Sequence, residues 1–317
     1  MKTTVLVPTY RRPQDLQRCL EALQNQQRLP DEVLIVLRAT DQPTWNLLEQ
    51  NTFSPLTIRT QIVEQPGQVA ALNAGLDAAS GDIIAITDDD AAPHPDWLKR
   101  IEAHFLADAQ VGGVGGRDWV YMGGTLHGPT ADQVVPRPIG QIQWFGRVVG
   151  NHHLGTDKPQ EVAILKGANM SYRCTAIGSA RFDPRLQGTG AQVHNDLGFS
   201  LAIKRQGWKL IYDPAIAVDH FPAQRFDKDR RDAFSYGATL DAAHNETLIL
   251  MNYFAPFRRA IYLGWSILIG TRVKPGIVQL CRLLPREGLQ SWQKGKAVLQ
   301  GRWQGCRTWL GRTKKLT

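Results

Sequence analysis

Apolar and polar positions along the chain repeat with two periods. Thr3–Val7 and Val33–Leu37 are short continuous apolar runs of the kind that buried strands make, and Thr57–Val63 alternates with a period of two. Between them Leu16, Leu20 and Leu23 recur at helical spacing, which predicts a helix over Pro13–Gln27 with Asp15 in its first turn. A short helix is predicted after Pro43, and a small-residue helix over Gln68–Ala79, closed by Gly81. Ile83–Thr87 reads as another buried strand and runs straight into Asp88, Asp89 and Asp90. A helix over Pro95–Ala107 and a strand over Val111–Val114 follow. Continuous apolar strands that alternate with helices build a parallel sheet covered on both faces, so the expected class is α/β.

The alternation fades after Gly116. Residues 117–160 are rich in Gly, Pro, His and Trp and read as irregular or hairpin structure. Order returns at Val162–Leu165, in a helix over Asp196–Gln206 ended by Gly207, and in short strands at Leu210–Tyr212 and Ala215–Val218. Beyond Phe226 the pattern is helical.

Composition narrows the function classes. With 317 residues, 43% hydrophobic and 21% charged, the chain buries a proper core and is not a disordered polymer. Its four cysteines lie far apart, which excludes a disulfide-stapled mini-protein and gives no zinc-ribbon spacing. The first apolar run is broken at Pro8 and Arg11, too short for a secretory signal. Ala260–Gly270 is the longest clean apolar run and falls short of the ~20 residues of a spanning helix. A cytoplasmic protein is therefore expected, peripheral at the inner face of the plasma membrane. Charge supports that contact. The formal net charge is +8, yet Arg272–Thr317 holds eleven basic residues against Glu287 alone, which leaves residues 1–271 mildly acidic. Trp265, Trp292, Trp303 and Trp309 lie in or just before this tail. Tryptophan mixed with Lys and Arg suits an anionic membrane surface, here through 247–317, rather than nucleic acid.

The acidic triplet is the sharpest chemical signal. It sits at the carboxyl end of a strand in a parallel sheet, where such sheets bind ligands. Three adjacent carboxylates repel one another unless a cation neutralises them, and hard divalent ions take carboxylate oxygens together with substrate phosphates. Alternate residues of an extended segment point the same way, so Asp88 and Asp90 are expected to share a task. There is no GxxxxGK[ST] phosphate loop, and Gly113-Val-Gly115 lacks the third glycine of a dinucleotide fingerprint because Asp118 stands there.

Val5–Arg12, Gly67–Gly75, Ile83–Asp90 with Pro95–Leu98, Lys166–Arg173, Phe182-Asp183, Asn195-Asp196 and Asp219-His220 resemble, in order and spacing, a family-2 glycosyltransferase of the GT-A fold over residues 1–225. The resemblance implies a Rossmann-like, mostly parallel sheet with helices on both faces, split into a nucleotide-sugar half (1–92) and an acceptor half (93–225), followed by a helical, basic extension over 226–317. It implies a nucleotide-diphospho-sugar site at Pro8, Thr9, Tyr10, Arg11, Asp41, Asn73, Asp88 and Asp89, a Mg²⁺ or Mn²⁺ held by Asp90 and His220, acceptor contacts at Gly167 and Asn169, and Asp196 as general base. The implied reaction is metal-dependent inverting transfer of a sugar to a hydroxyl of a saccharide or lipid-linked acceptor, in surface polysaccharide or glycolipid synthesis.

The chemistry fits those residue types. A leaving diphosphate gains negative charge, which a metal and cationic neighbours stabilise, and a hydroxyl needs a carboxylate to take its proton. Two departures motivate the competing reading, a non-catalytic binding or scaffold protein on the same fold. Arg38 stands where relatives carry a carboxylate after the second strand, and Asn195 replaces the acidic neighbour of Asp196.

Overall fold

The computed structural model describes residues 1–128, 138–155, 158–223 and 234–313. In chain order the strands are β1 (Thr3–Pro8), β2 (Glu32–Leu37), β3 (Ile58–Ile62), β4 (Ile83–Ile86), β5 (Ala91–Pro93), β6 (Val111–Met122), β7 (Thr125–Leu126), β8 (Gln141–Ile142), β9 (Val148–Val149), β10 (Gln160–Val162), β11 (Met170–Arg173) and β12 (Lys209–His220). The helices are α1 (Pro13–Gln24), α2 (Gln42–Gln50), α3 (Gln68–Ala78), α4 (Trp97–Ala107), α5 (Cys174–Ile177), α6 (Asn195–Arg205), α7 (Tyr236–Tyr253), α8 (Pro256–Leu268), α9 (Ile277–Glu287) and α10 (Leu289–Thr313).

The chain divides into two compact units: Met1–Gln141 with Gly150–Phe182 and Phe199–Ala223, and Ile142–Val149 with Asp183–Gly198 and Gln224–Thr317. The expected boundary at 225/226 lies outside the described residues.

The first unit is built on one sheet in the order β10-β12-β6-β11-β4-β1-β2-β3. It is parallel across β4-β1-β2-β3 and between β6 and β12, with β11 antiparallel between β4 and β6. Central strands β1, β2 and β4 are the continuous apolar runs of the sequence and are buried along almost their whole length. Helix α1 lays Leu16, Cys19, Leu20 and Leu23 on this sheet, and α4 adds Trp97, Leu98, Ile101 and Phe105.

Three sequence expectations change. The strand expected at Val111–Val114 runs on to Met122, and the two short strands near its partner are one, Lys209–His220, with a register shift between Asp213 and Val218. Glycines hid this pairing. A β-carbon at Gly115 would meet the Asn169 carbonyl, and one at Gly116 the Ile216 carbonyl, so the close approach of three backbones requires residues that carry no strand signal. The Lys166–Arg173 motif also contains a strand, β11, that the apolar pattern does not announce.

The second unit is mainly α7 to α10. Gly301 and Gly305 of α10 leave no room for a β-carbon against the backbone of α7, at the carbonyls of Leu240 and His244. Among the described residues no helix is long and apolar enough to cross a membrane.

Candidate active site

The carboxyl ends of β1, β2 and β4 converge. Beyond Pro8, Thr9 continues the ladder through its N–H to the Val36 carbonyl, and its hydroxyl donates to Asp89 Oδ2 at 2.8 Å. Arg11 follows in the left-handed region, φ 57°, where a side chain is strained. Asp41 holds it there. This fully buried carboxylate accepts the Arg11 N–H at 2.7 Å and the Thr44 hydroxyl at 2.8 Å while capping α2. Asp41 thus shapes the loop from behind. Tyr10 lies between two cations, with the Arg11 and Arg38 guanidinium carbons 5.2 and 5.3 Å from its ring. Arg38, one of the two departures noted in the sequence, therefore adds positive charge beside the loop expected to line the nucleotide.

The three carboxylates of the triplet separate. Asp88 is half-buried and accepts from Gln68 Nε2 at 3.0 Å. Asp89 is buried and accepts from Arg12 Nη1 at 2.9 Å. Burial pushes the Asp89 carboxyl up to about 7, against the pull of Arg12 and with the repulsion of Asp90 and Asp88. Asp90 goes the other way. Burial would raise it, but His220, the Ala223 N–H at 2.9 Å and Arg12 outweigh that and hold it well below the usual carboxylate range. Asp88 and Asp90 thus have different partners within the protein.

His220, at the end of β12, is the hinge of the arrangement. Its Nε2 faces Asp90 Oδ1 at 3.3 Å, and its Nδ1 lies 3.0 Å from Asp118 Oδ1. Asp118 is fully buried and also paired with Lys166. The His220 Nε2 is buried and makes no hydrogen bond, so an imidazole nitrogen and a carboxylate point at one another with no proton shared in good geometry. That donor pair fits a hard or borderline divalent ion such as Mg²⁺ or Mn²⁺. No three His, Cys, Asp or Glu side chains converge on one point among the described residues.

Two other expected residues of this unit, Asn73 and Asn169, serve the scaffold. Asn73 mimics a strand partner, its amide donating to the Phe182 carbonyl and accepting the Phe182 N–H, both at 2.9 Å. Asn169 is fully buried. It accepts from Trp97 Nε1 at 2.9 Å and donates to the carbonyls of Ile216 at 2.8 Å and Arg117 at 3.3 Å, tying α4, β6 and β12 together. Gly167, in the turn closed by the Asn169 N–H on the Lys166 carbonyl, is half-buried and has open space where a β-carbon would stand.

Asp196 belongs to the second unit, in the first turn of α6, half-buried, with Oδ1 accepting the Leu197 N–H at 2.8 Å. The loop before it is gripped from α7. Asn245 accepts the Gln187 N–H at 2.7 Å and donates to the carbonyls of Gln187 and Val193 at 2.9 and 3.0 Å. His194, at φ 74°, accepts from Lys274 Nζ at 2.7 Å, and Lys274 also reaches Glu246 at 2.5 Å. Asn195 is buried, its amide donating to the carbonyls of Ala191 and Gln192. A carboxylate has no proton to give there, which accounts for the neutral residue beside Asp196.

Sequence reading missed Asp118 and Lys166 as members of the site. Arg12, which the sequence offers as a phosphate contact or a surface charge, is the cation that compensates Asp89. Asp118 becomes visible only once β6 extends past Gly116 and registers beside His220.

The model of the family described as "Glycosyl transferase family 2" matches residues 4–163. Glycosyltransferase AglE of Haloferax volcanii is 34% identical over 102 residues, covering 31% of this chain; the chain spans about a third of the length of that relative. Residues 1–349 of S. aureus TarS, solved with UDP-GlcNAc, superpose with a TM-score of 0.58 at 16% identity over 95% of this chain and 81% of that one. The mannosyltransferase PcManGT of Pyrobaculum calidifontis, solved with GDP-Man and Mn²⁺, gives 0.54 at 17% identity over 98% and 87%. The fold is the GT-A glycosyltransferase fold, and with half of its length matched by the family model, this chain belongs to glycosyl transferase family 2.

Proposed function

We propose that this protein is a metal-dependent inverting glycosyltransferase that moves a sugar from a nucleotide-diphosphate donor to a hydroxyl of a saccharide or lipid-linked acceptor, in surface polysaccharide or glycolipid synthesis at the cytoplasmic face of a membrane. The observation that carries this reading is the opposition of Asp90 and the unshared His220 Nε2 at the end of β4, beside Arg12 and the Thr9–Arg11 loop. AglE is named a glycosyltransferase, and TarS and PcManGT hold sugar nucleotides.

In this mechanism Thr9, Tyr10 and Arg11 present the loop that seats the nucleotide, and Asp88 lies at its edge. Asp90 and His220 would hold a divalent ion, and that ion would supply positive charge for the leaving diphosphate. Arg12 keeps Asp89 compensated, so the negative charge facing the ligand is limited to Asp88 and Asp90. Asp196 takes the proton of the attacking hydroxyl, and a single displacement inverts the anomeric centre. Gly167 leaves space for the acceptor, while Asn169 fixes the wall around it. Arg38 beside Tyr10 favours a donor site that contacts base or phosphate through a guanidinium.

Calorimetric titration with UDP, GDP and dTDP, with and without Mn²⁺, tests the donor site. Metal-dependent binding of one nucleotide, lost in Asp90→Ala, is the expected result. Binding that ignores both metal and mutation removes the proposal. Transfer to acceptor that persists in Asp196→Asn removes the assignment of the base, and an active wild type excludes the scaffold reading.

A further inference from the structure

Three consecutive helices of the second unit each leave an apolar face uncovered. On α8 the buried side carries Tyr262 and Ser266, while Phe257 and Leu268 are 79% and 57% exposed. On α9 the inward residue is Leu283, and Ile277 and Val278 are 51% and 50% exposed. The start of α9 is tied to the end of α8 where the Gly276 N–H donates to the Ile269 carbonyl. On α10, Trp292, Leu299, Trp303 and Leu310 are exposed at spacings of seven, four and seven, which is one stripe of a helix. Large apolar side chains left exposed on three successive helices mark a contact site.

The rim identifies the partner. Arg282 and Arg286 are exposed beside the α9 face, Arg272 is 80% exposed, and Arg307 lies over the Trp303 ring at 4.7 Å. A second copy would set these like charges against each other. A phosphate backbone would leave the apolar faces in water. Acyl chains under anionic headgroups satisfy both features, and tryptophan favours that boundary. We infer that the exposed faces of α8, α9 and α10 form a docking surface for an anionic lipid bilayer, with Ile277 and Val278 entering the interface and Arg282 and Arg286 on the headgroups. This deepens the membrane part of the proposed function and is independent of the donor site.

The test is flotation of the full chain with phosphatidylcholine vesicles, with or without phosphatidylglycerol, at low and physiological salt. Nucleotide titration on the same samples keeps failure of the donor site separate. Wild type is expected to float with the anionic vesicles only. Ile277→Glu with Val278→Glu should abolish this, and Arg282→Gln with Arg286→Gln should weaken it about fivefold per arginine, with unchanged circular dichroism. Absence of flotation with anionic vesicles, or flotation indifferent to both pairs of substitutions, overturns the inference. So does a concentration-dependent dimer that the glutamates dissolve and that ignores vesicles, since the face would then bind a second copy.

Discussion

Asp118 accepts or shares the Nδ1 proton of His220 at 3.0 Å, across 102 residues of chain. The pairing fixes the imidazole so that Nε2 is the nitrogen turned to Asp90, an arrangement that carboxylates commonly impose on metal-binding histidines. Asp118→Asn should keep the fold and lower Mn²⁺ affinity about tenfold to a hundredfold. Calorimetric or electron-paramagnetic titration of Mn²⁺ checks this in the absence of any substrate, and unchanged affinity would show that the Asp118 charge does not act on the ion through His220.

Arg12 and Asp89 form a mostly buried pair, and removing one partner of such a pair strands the other charge. Arg12→Ala should destabilise the first unit by about 3 kcal/mol, and Arg12→Lys by less. Urea unfolding gives the number. A loss under about 1 kcal/mol would mean that Asp89 is neutral and needs no cation.

Asn169 and Gly167 are two residues apart and should behave oppositely. Asn169→Ala leaves the Trp97 N–H and the carbonyls of Arg117 and Ile216 without a partner and should cost about 3 kcal/mol. Gly167→Ala meets open space and should unfold like wild type, while raising the KM for acceptor. An unaltered KM would move the acceptor away from this turn.

Acid should weaken the second unit through His194. Burial and the charge of Lys274 push this imidazole down to about 3, with Glu246 opposing. The unfolded chain takes up a proton near pH 6.5 that the folded chain refuses, so stability falls as pH drops below that value and goes on falling towards pH 3. Glu246 adds to the loss lower down. Burial raises it, but Lys274, His194 and Arg302 bring it to about 2, so its contribution fades between pH 4.5 and 2. Thermal unfolding between pH 7.5 and 5 should show a slope that His194→Gln flattens. An equal slope in that variant would assign the acid sensitivity elsewhere.

The parts of the molecule legible in the sequence are those whose signal is local. Strands β1, β2 and β4 are apolar runs, and only Thr87 separates β4 from the triplet, so the sheet and the triplet's place at the carboxyl end of a strand can be read without coordinates. The rest depends on partners far along the chain. Asn169 looks like an amide free for a ligand until Trp97, Arg117 and Ile216 close on it. Asp41 looks like a nucleotide contact until Arg11 and Thr44 take both its oxygens. The first half of β6 is written in glycines, which mark turns when read locally and backbone proximity when read in three dimensions.

Asn195 has a consequence for how this chain can change. Its amide donates to the Ala191 and Gln192 carbonyls immediately before Asp196. A glutamate at the same position would turn lone pairs towards those two oxygens, so placing a second acid beside Asp196 requires the preceding loop to be re-laid as well. The neutral neighbour is therefore entrenched, reachable or reversible only through several coordinated substitutions.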